Sequence, residues 1–387
     1  VRHFPALLQM ELDELAARDR LRACVELGGT SRARPSSEKG PLLSFCSNDY
    51  LGLAGHPALA SAAAAAAARD GFGAGASRLV SGDLPSHRTL EKALAAFVGH
   101  TAALLFPTGY QTNIGVIAAL AGREDLIVSD AANHASIIDG CRLSRATVAV
   151  YAHRDVAAAE RALAGGGAFR RRLLVTESIF SMDGDVAPLA KLAALAEQRD
   201  AILVVDEAHA LGVLGPGGRG LCAAAGVRPD VLVGTLGKAF GTAGGFAAGA
   251  TELRSYLLNR ARTFIYTTGL PPASAAAAGA ALELAAGAEG ERRRARLAAN
   301  RDLLARLLAA RGLVAAAPPG PIFSLVVGSG SDAEALGAAR SLQARGIFVP
   351  AIRPPTVPAG TARLRVTLSS EHDQADVAAL AAALAET

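Results

Sequence analysis

Short, unbroken apolar runs recur through the middle of the chain, at residues 102–106, 126–128, 147–151, 173–176, 202–205, 231–233 and 246–248. They are too short for helices, and they lack the alternation of a strand with one face in water. A strand buried on both faces reads this way, and such strands belong to parallel sheets covered by helices. Between several runs the spacing turns helical. Residues 188–199 carry Leu189, Leu192, Leu195 and Ala196 on one face. The pattern predicts an α/β chain whose large domain is built on a mainly parallel sheet.

The flanks read differently. Residues 1–28 space Leu8, Leu12, Leu15, Leu21 and Val25 as an amphipathic helix, and 30–41 is a polar connector. Helices are predicted from Pro57 to about Arg69 and over 86–98. A charged helix over 290–312 leads to strands at 322–327, 346–349 and 363–368, then to a closing helix over 373–385. This predicts three parts: 1–45, an N-terminal helix and connector; 46–285, the large domain; and 286–387, a small α+β domain against which the N-terminal part packs.

Composition narrows the function. No stretch approaches about 18 uninterrupted apolar residues, so no membrane span is expected. The first residues carry acids and lack the order of a signal peptide, which makes the cytoplasm the expected location. The four cysteines are scattered, so neither a zinc ribbon nor a disulfide framework is expected, and no other metal motif is present. Formal charge is +4, with dense basic runs only at 170–172 and 292–294, and there is no tryptophan. We read those runs as solvated faces and not as a nucleic-acid surface. Only four of the 39 basic residues are lysines: Lys39, Lys92, Lys191 and Lys238. Arginine keeps its proton and cannot form a Schiff base, so each lysine is worth inspecting.

In open parallel sheets, ligands sit beyond the carboxyl ends of the strands. After run 202–205 come Asp206 and His209; after 231–233 come Thr235 and Lys238, the latter among glycines. After 173–176 come Glu177, Ser178 and Ser181; after 126–128, Asp130 and His134; after 102–106, Thr108, Gly109 and Tyr110 at the opening of a helix. A helix opening offers N–H groups and a positive dipole end to a phosphate. A carboxylate keeps a pyridine nitrogen protonated, and a lysine supplies an amine. Pyridoxal phosphate needs all three. Each feature also has a plainer reading. Asp206 and His209 alone read equally as a structural hydrogen-bonded pair, no HExxH motif or third nearby ligand supports a metal there, and His134 also reads as a core histidine. Lys39, Lys92 and Lys191 read as surface charges. Gly71 to Ala76 fits G-x-G-x-x-A but follows a helix, which removes the dinucleotide reading.

Taken in order, 47–53 (Ser-Asn-Asp-Tyr-Leu-Gly-Leu), 77–82 (Ser-Arg-Leu-Val-Ser-Gly), 180–185 (Phe-Ser-Met-Asp-Gly-Asp), 206–209 (Asp-Glu-Ala-His) and 235–238 (Thr-Leu-Gly-Lys) resemble the α-oxoamine synthases. These are fold-type I, aminotransferase-like transferases that use pyridoxal 5'-phosphate, and the likeness runs along nearly the whole chain. It implies that Lys238 binds the cofactor covalently, Asp206 pairs with the ring nitrogen, His209 contacts the ring hydroxyl and His134 stacks on the ring. It places Gly109, Tyr110, Ser181 and Thr235 at the cofactor, and has Thr267 and Thr268 reach the phosphate of the neighbouring subunit in a homodimer with a shared site. Asn48 would border the ring, Arg365 would hold the amino-acid carboxylate, and Arg22 and Thr356 would meet the acyl substrate. Residues 351–358 and 362–365 are similar to the branch that condenses L-alanine with a pimeloyl thioester in biotin synthesis. They differ from the glycine-using branch, such as 2-amino-3-ketobutyrate CoA ligase. Whether the acyl carrier is coenzyme A or a carrier protein stays open. Ser178, where the family often has glycine, and Ala243-Gly244-Gly245 depart from the family pattern. An ordinary aminotransferase and a catalytically dead scaffold are the other readings; the scaffold reading expects the lysine to be lost.

Overall fold

In a computed structural model, which describes residues 3–38 and 40–387, the apolar runs line up as one sheet. Its strands are β1 (Ala102–Phe106), β2 (Leu126–Asp130), β3 (Thr147–Tyr151), β4 (Arg172–Glu177), β5 (Ile202–Asp206), β6 (Val231–Thr235) and β7 (Gly245–Gly249). Their order across the sheet is β1-β7-β6-β5-β4-β2-β3. The pairs from β6 through β3 are parallel. β7 alone runs against both its neighbours, β1 and β6. Both faces of the inner strands are buried, as their unbroken apolar runs require, whereas the edge strand β3 keeps Val148 and Val150 exposed. Ile127, Leu173, Val175 and Val204 pack with Val116, Ile117 and Ile137 from the helices α1 (Gly109–Leu120) and α2 (Ala135–Ser144). The alternate residues Val128, Leu174, Leu203 and Val205 pack on the other face with Leu163, Leu192 and Leu195. At roughly 1.5–3 kcal/mol for each fully buried aliphatic side chain, these two layers dominate the stability of the sheet.

The chain divides into two compact units. One holds Asn48–Ser181 and Asp185–Arg296, and includes the large sheet. The other holds the residues up to Ser47, Met182–Gly184 and Leu297–Thr387. Its three-stranded antiparallel sheet is ordered Ile322–Val326, Arg363–Thr367, Ala351–Ile352. Ile347–Phe348, expected near those strands, instead pairs in parallel with Leu43–Ser44. Within this unit His372 stacks on Phe45 at 4.2 Å and hydrogen-bonds the Ser44 carbonyl at 2.9 Å, fastening the two ends of the chain together.

The N-terminal helix is shorter than its leucine spacing implies. It covers Phe4–Ala17, and none of its residues is buried. Asp19 takes a left-handed backbone (φ 55°), which stops the helix, and Leu21 and Val25 lie exposed in irregular chain. Lys39 lies outside the described residues. Among the described residues, no helix is long and apolar enough to cross a membrane.

Candidate active site

Because β2, β4, β5 and β6 run the same way, their last residues, Asp130, Glu177, Asp206 and Thr235, share one edge of the sheet. Register places Glu177 directly beside Asp206. β1 points to the same edge, so α1, which follows it, opens there. Thr108 caps α1 by accepting the Gln111 amide at 3.1 Å. The amides of Gly109 and Tyr110 belong to the first turn, which a helix's own hydrogen bonds leave unsatisfied.

Close approach at this edge depends on glycine. A Cβ on Gly109 would lie 3.2 Å from the Thr235 side chain, and one on Gly245 would lie 2.7 Å from the backbone of Gly109. Gly244, at φ 119°, turns the chain before β7. The Ala243-Gly244-Gly245 segment therefore seats the opening of α1 against β6 and β7.

Asp206 is buried and fully engaged. Its Oδ2 accepts from Asn113 Nδ2 at 2.7 Å and its Oδ1 from the Ala208 amide at 2.8 Å. Asn113 also donates to Ser136 Oγ at 2.9 Å. His134 is the N-cap of α2; its Nδ1 meets the Ser136 amide at 3.2 Å and hydroxyl at 2.8 Å, which fixes the plane of an otherwise exposed ring. Lys238 Nζ donates to His209 Nε2 at 2.8 Å. His209 Nδ1–H then donates to Tyr50 Oη at 2.7 Å, and Tyr50 donates to Asn48 Oδ1 at 3.1 Å. The chain of donors is consistent with neutral His209 protonated on Nδ1.

Glu177 carries no role in the sequence reading, yet it is wholly buried and accepts the His134 amide at 2.6 Å. Burial raises its carboxyl above the ordinary range and the Asp206 charge adds to the rise, while the Lys238 charge and the amides of His134 and Ser181 oppose it. Tyr50 and Asn113 were likewise passed over. Tyr50 lies inside the quoted 47–53 segment, and Asn113 stands one turn after Gly109 on the same helix; both spacings were visible. Ser178 has a definite partner: its hydroxyl donates to the buried Glu207 at 2.8 Å. Glu207 also accepts the Leu221 amide at 3.0 Å, so the exchange of glycine for serine adds a tie to a structural carboxylate.

The structure brings Asn48, Gly109, His134, Ser181, Asp206, His209, Thr235 and Lys238 into one unit, around the strand ends. Tyr110 is exposed and donates to Asp139. Thr267 and Thr268 follow a short helix in the same unit, on a segment tied to Ala76 by the Gly269 amide at 3.0 Å. Arg22, Thr356 and Arg365 belong to the other unit. There Arg365 is buried in a strand, and Arg22 and Thr356 are exposed. The 77–82 segment is scaffolding: buried Arg78 pairs with Asp83 and Glu91 and stands 5.4 Å from the Phe264 ring.

A family model for aminotransferases of class I and II matches residues 41–384. The chain belongs to this family. Relatives within the class I and II family include an 8-amino-7-oxononanoate synthase from Anaeromyxobacter dehalogenans, 51% identical over 97% of this chain and 94% of that one. Another protein of that name, from Aromatoleum aromaticum, is 50% identical over 97% of both chains. Among solved structures, a serine palmitoyltransferase from S. paucimobilis with a bound PLP–myriocin aldimine superposes with a TM-score of 0.91. It is 30% identical and covers 98% of this chain and 96% of its own. An 8-amino-7-oxononanoate synthase from Francisella tularensis has a TM-score of 0.77 at 29% identity, covering 89% of this chain and 97% of that one.

The donor set of this family member fits pyridoxal phosphate. It offers an amine on Lys238, a buried carboxylate on Asp206, an exposed imidazole face on His134, and an uncrowded helix opening at Gly109, where a Cβ would intrude.

Proposed function

We propose that this chain is an 8-amino-7-oxononanoate synthase of biotin biosynthesis. It is a pyridoxal-phosphate-dependent acyltransferase that joins L-alanine to a pimeloyl thioester and releases carbon dioxide and the free thiol carrier. One observation carries the reading: 50–51% identity across 97% of the chain to relatives of that name. The site geometry supports it. When bound, the cofactor supplies a carbonyl that captures amines and a protonated ring that withdraws electrons from the captured carbon.

The chain's own groups have these parts. Lys238 would hold the cofactor through its amine, and its free Nζ would accept the α-proton of alanine. His209, 2.8 Å from the lysine nitrogen, accepts its hydrogen bond and stays oriented through Tyr50. Asp206 keeps the proton on the ring nitrogen, and Asn113 and the Ala208 amide hold that carboxylate in place. His134 would cover one face of the ring. Gly109, Tyr110, Ser181 and Thr235 would hold the phosphate and ring, and Asn48 would border the ring. Arg365 takes the alanine carboxylate through a bidentate fork, and Arg22 and Thr356 serve the acyl chain. The enzyme works in the cytoplasm as a homodimer in which Thr267 and Thr268 serve the neighbouring subunit's phosphate site.

The test is a side-by-side rate comparison that measures carbon dioxide release and ketone formation. Alanine with pimeloyl thioesters, carried on coenzyme A and on a carrier protein, should outrun glycine with acetyl-CoA. A faster reaction with glycine and acetyl-CoA would overturn the assignment.

A further inference from the structure

His153 lies in none of the segments discussed so far. It follows β3, and its ring bridges two carboxylates. Nδ1 stands 2.8 Å from Asp130 Oδ1 at the end of β2, and Nε2 stands 2.9 Å from Asp185 Oδ2. A neutral imidazole has one N–H, so one of these contacts would set a lone pair against a carboxylate oxygen. Only the imidazolium donates to both.

The neighbours are arranged for that charge. Asp130 is buried; its Oδ1 also accepts the Ala132 amide and its Oδ2 the Arg154 amide, at 2.8 and 2.9 Å. Arg154 takes a left-handed backbone (φ 60°), an unfavourable state for a non-glycine residue that persists only where its surroundings impose it. Its guanidinium also reaches Asp185 Oδ2, at 3.0 Å. Two cations thus face two carboxylates. Tyr151 is buried beside Asp130, and both effects push its hydroxyl up and keep it neutral. Burial disfavours the charge on His153, but Asp130 and Asp185 outweigh that effect and carry its protonation above the ordinary histidine range near 6.5.

Asp185 is the return arm of a turn. The Ile179 and Val186 backbones pair, the Phe180 amide donates to the Asp185 carbonyl at 2.9 Å, and the Ala187 amide donates to Ser178. The Ser178 amide donates to the Asp206 carbonyl at 2.8 Å, and Ser181 stands next to Phe180. The edge of His153 meets the Phe180 ring at 4.3 Å. His153 therefore touches both arms of the turn that joins Asp206 to Ser181.

We propose that charged His153 is a positioning residue that clamps the 178–187 turn, and that loss of its proton loosens the turn and weakens cofactor retention. The sign follows from the geometry: the clamp is complete at low pH and is lost as pH rises through the histidine's folded-state titration. The link to the cofactor rests on the reading of Ser181 given above.

The experiment is amide hydrogen exchange of the full chain, with and without pyridoxal phosphate, at several pH values from 6 to 8.5 and corrected for intrinsic rates. In the parent, protection over 178–187 should fall about 10-fold across the range, the size of one charged hydrogen bond. His153→Gln should show low protection at all pH values. His153→Lys, which keeps a charge, should show protection that does not step with pH. Protection over Pro272–Ala286 reports whether each variant is folded. Absence of the step in the parent, or its survival in folded His153→Gln, overturns the clamp. Cofactor affinity, titrated by absorbance, should weaken with the same midpoint. A flat affinity beside a clear exchange step overturns the link to the cofactor, and leaves the synthase reading to be judged by ketone formation alone.

Discussion

Gly245→Ala tests the idea that absent side chains seat the phosphate end of the site. Gly245 opens β7 and is held on both sides, paired with Phe106 of β1 and Thr235 of β6, so the strand has no room to retreat. A Cβ there would lie 2.7 Å from both the nitrogen and Cα of Gly109, and 2.5 Å from Thr112 Oγ1. Two of those three atoms are backbone, so no rotamer change relieves the contact. The opening of α1 would have to withdraw by about 0.7 Å to reach even a tight 3.4 Å contact, and overpacking of this kind costs about 1–3 kcal/mol. The same shift moves the Gly109 and Tyr110 amides, and displacements near 1 Å cost up to about 100-fold in function. Urea unfolding of the cofactor-free chain should show a lower midpoint with an unchanged slope, and cofactor retention on dialysis should fall about 10-fold or more. Gly73→Ala is the control: a Cβ at Gly73 meets nothing within 4 Å, so it should be neutral or slightly stabilising. If Gly245→Ala keeps the parent's midpoint and retention, the seating argument is wrong.

Asp206→Asn should fold, because Asn113 can turn its amide and present Oδ1, a buried acceptor with no other partner, to the new NH2 group. Its turnover should nevertheless drop about 100-fold or more, since a neutral amide no longer holds the ring proton; parent-level turnover would make Asp206 merely structural. Tyr50→Phe removes the acceptor that keeps His209 protonated on Nδ1, so the pH midpoint of the bound cofactor's visible band should move by about one unit, and an unmoved midpoint would disconnect Tyr50 from Lys238. The raised carboxyl of Glu177 penalises the folded state increasingly as pH climbs above the unfolded value, about 4.3. Glu177→Gln does not ionise, so its melting temperature relative to the parent should improve from pH 5 to pH 8; a constant difference would mean the carboxyl is not strained.

The sheet was legible because burial on both faces forces unbroken apolar runs, and all seven runs are strands. The reversal of β7 was not, since Gly-Phe-Ala-Ala-Gly reads alike in either direction and only its pairing with β1 and β6 sets the sense. Asp206, His209, Lys238 and His134, at or just beyond strand ends, were singled out by position. The residues that hydrogen-bond them or the neighbouring turn were harder to see. Asn113 lies within a helix, Tyr50 precedes the sheet, and His153 stands in a loop where nothing local marks it. The leucines at 8, 12 and 15 show the opposite failure. Their spacing is helical and the helix forms, but spacing alone does not state what the face packs on.

The reversed strand also bears on how the protein is made. β1 and the helix after it leave the ribosome early, but their neighbour in the sheet is translated about 140 residues later, at some 5–20 residues per second. Until β7 emerges, β1 has no partner strand and the opening of α1 has nothing to rest on. The phosphate end of the site is therefore expected to be among the last parts of the large unit to set. A nascent chain halted before residue 245 should carry Asp206 and Lys238 and still fail to retain the cofactor.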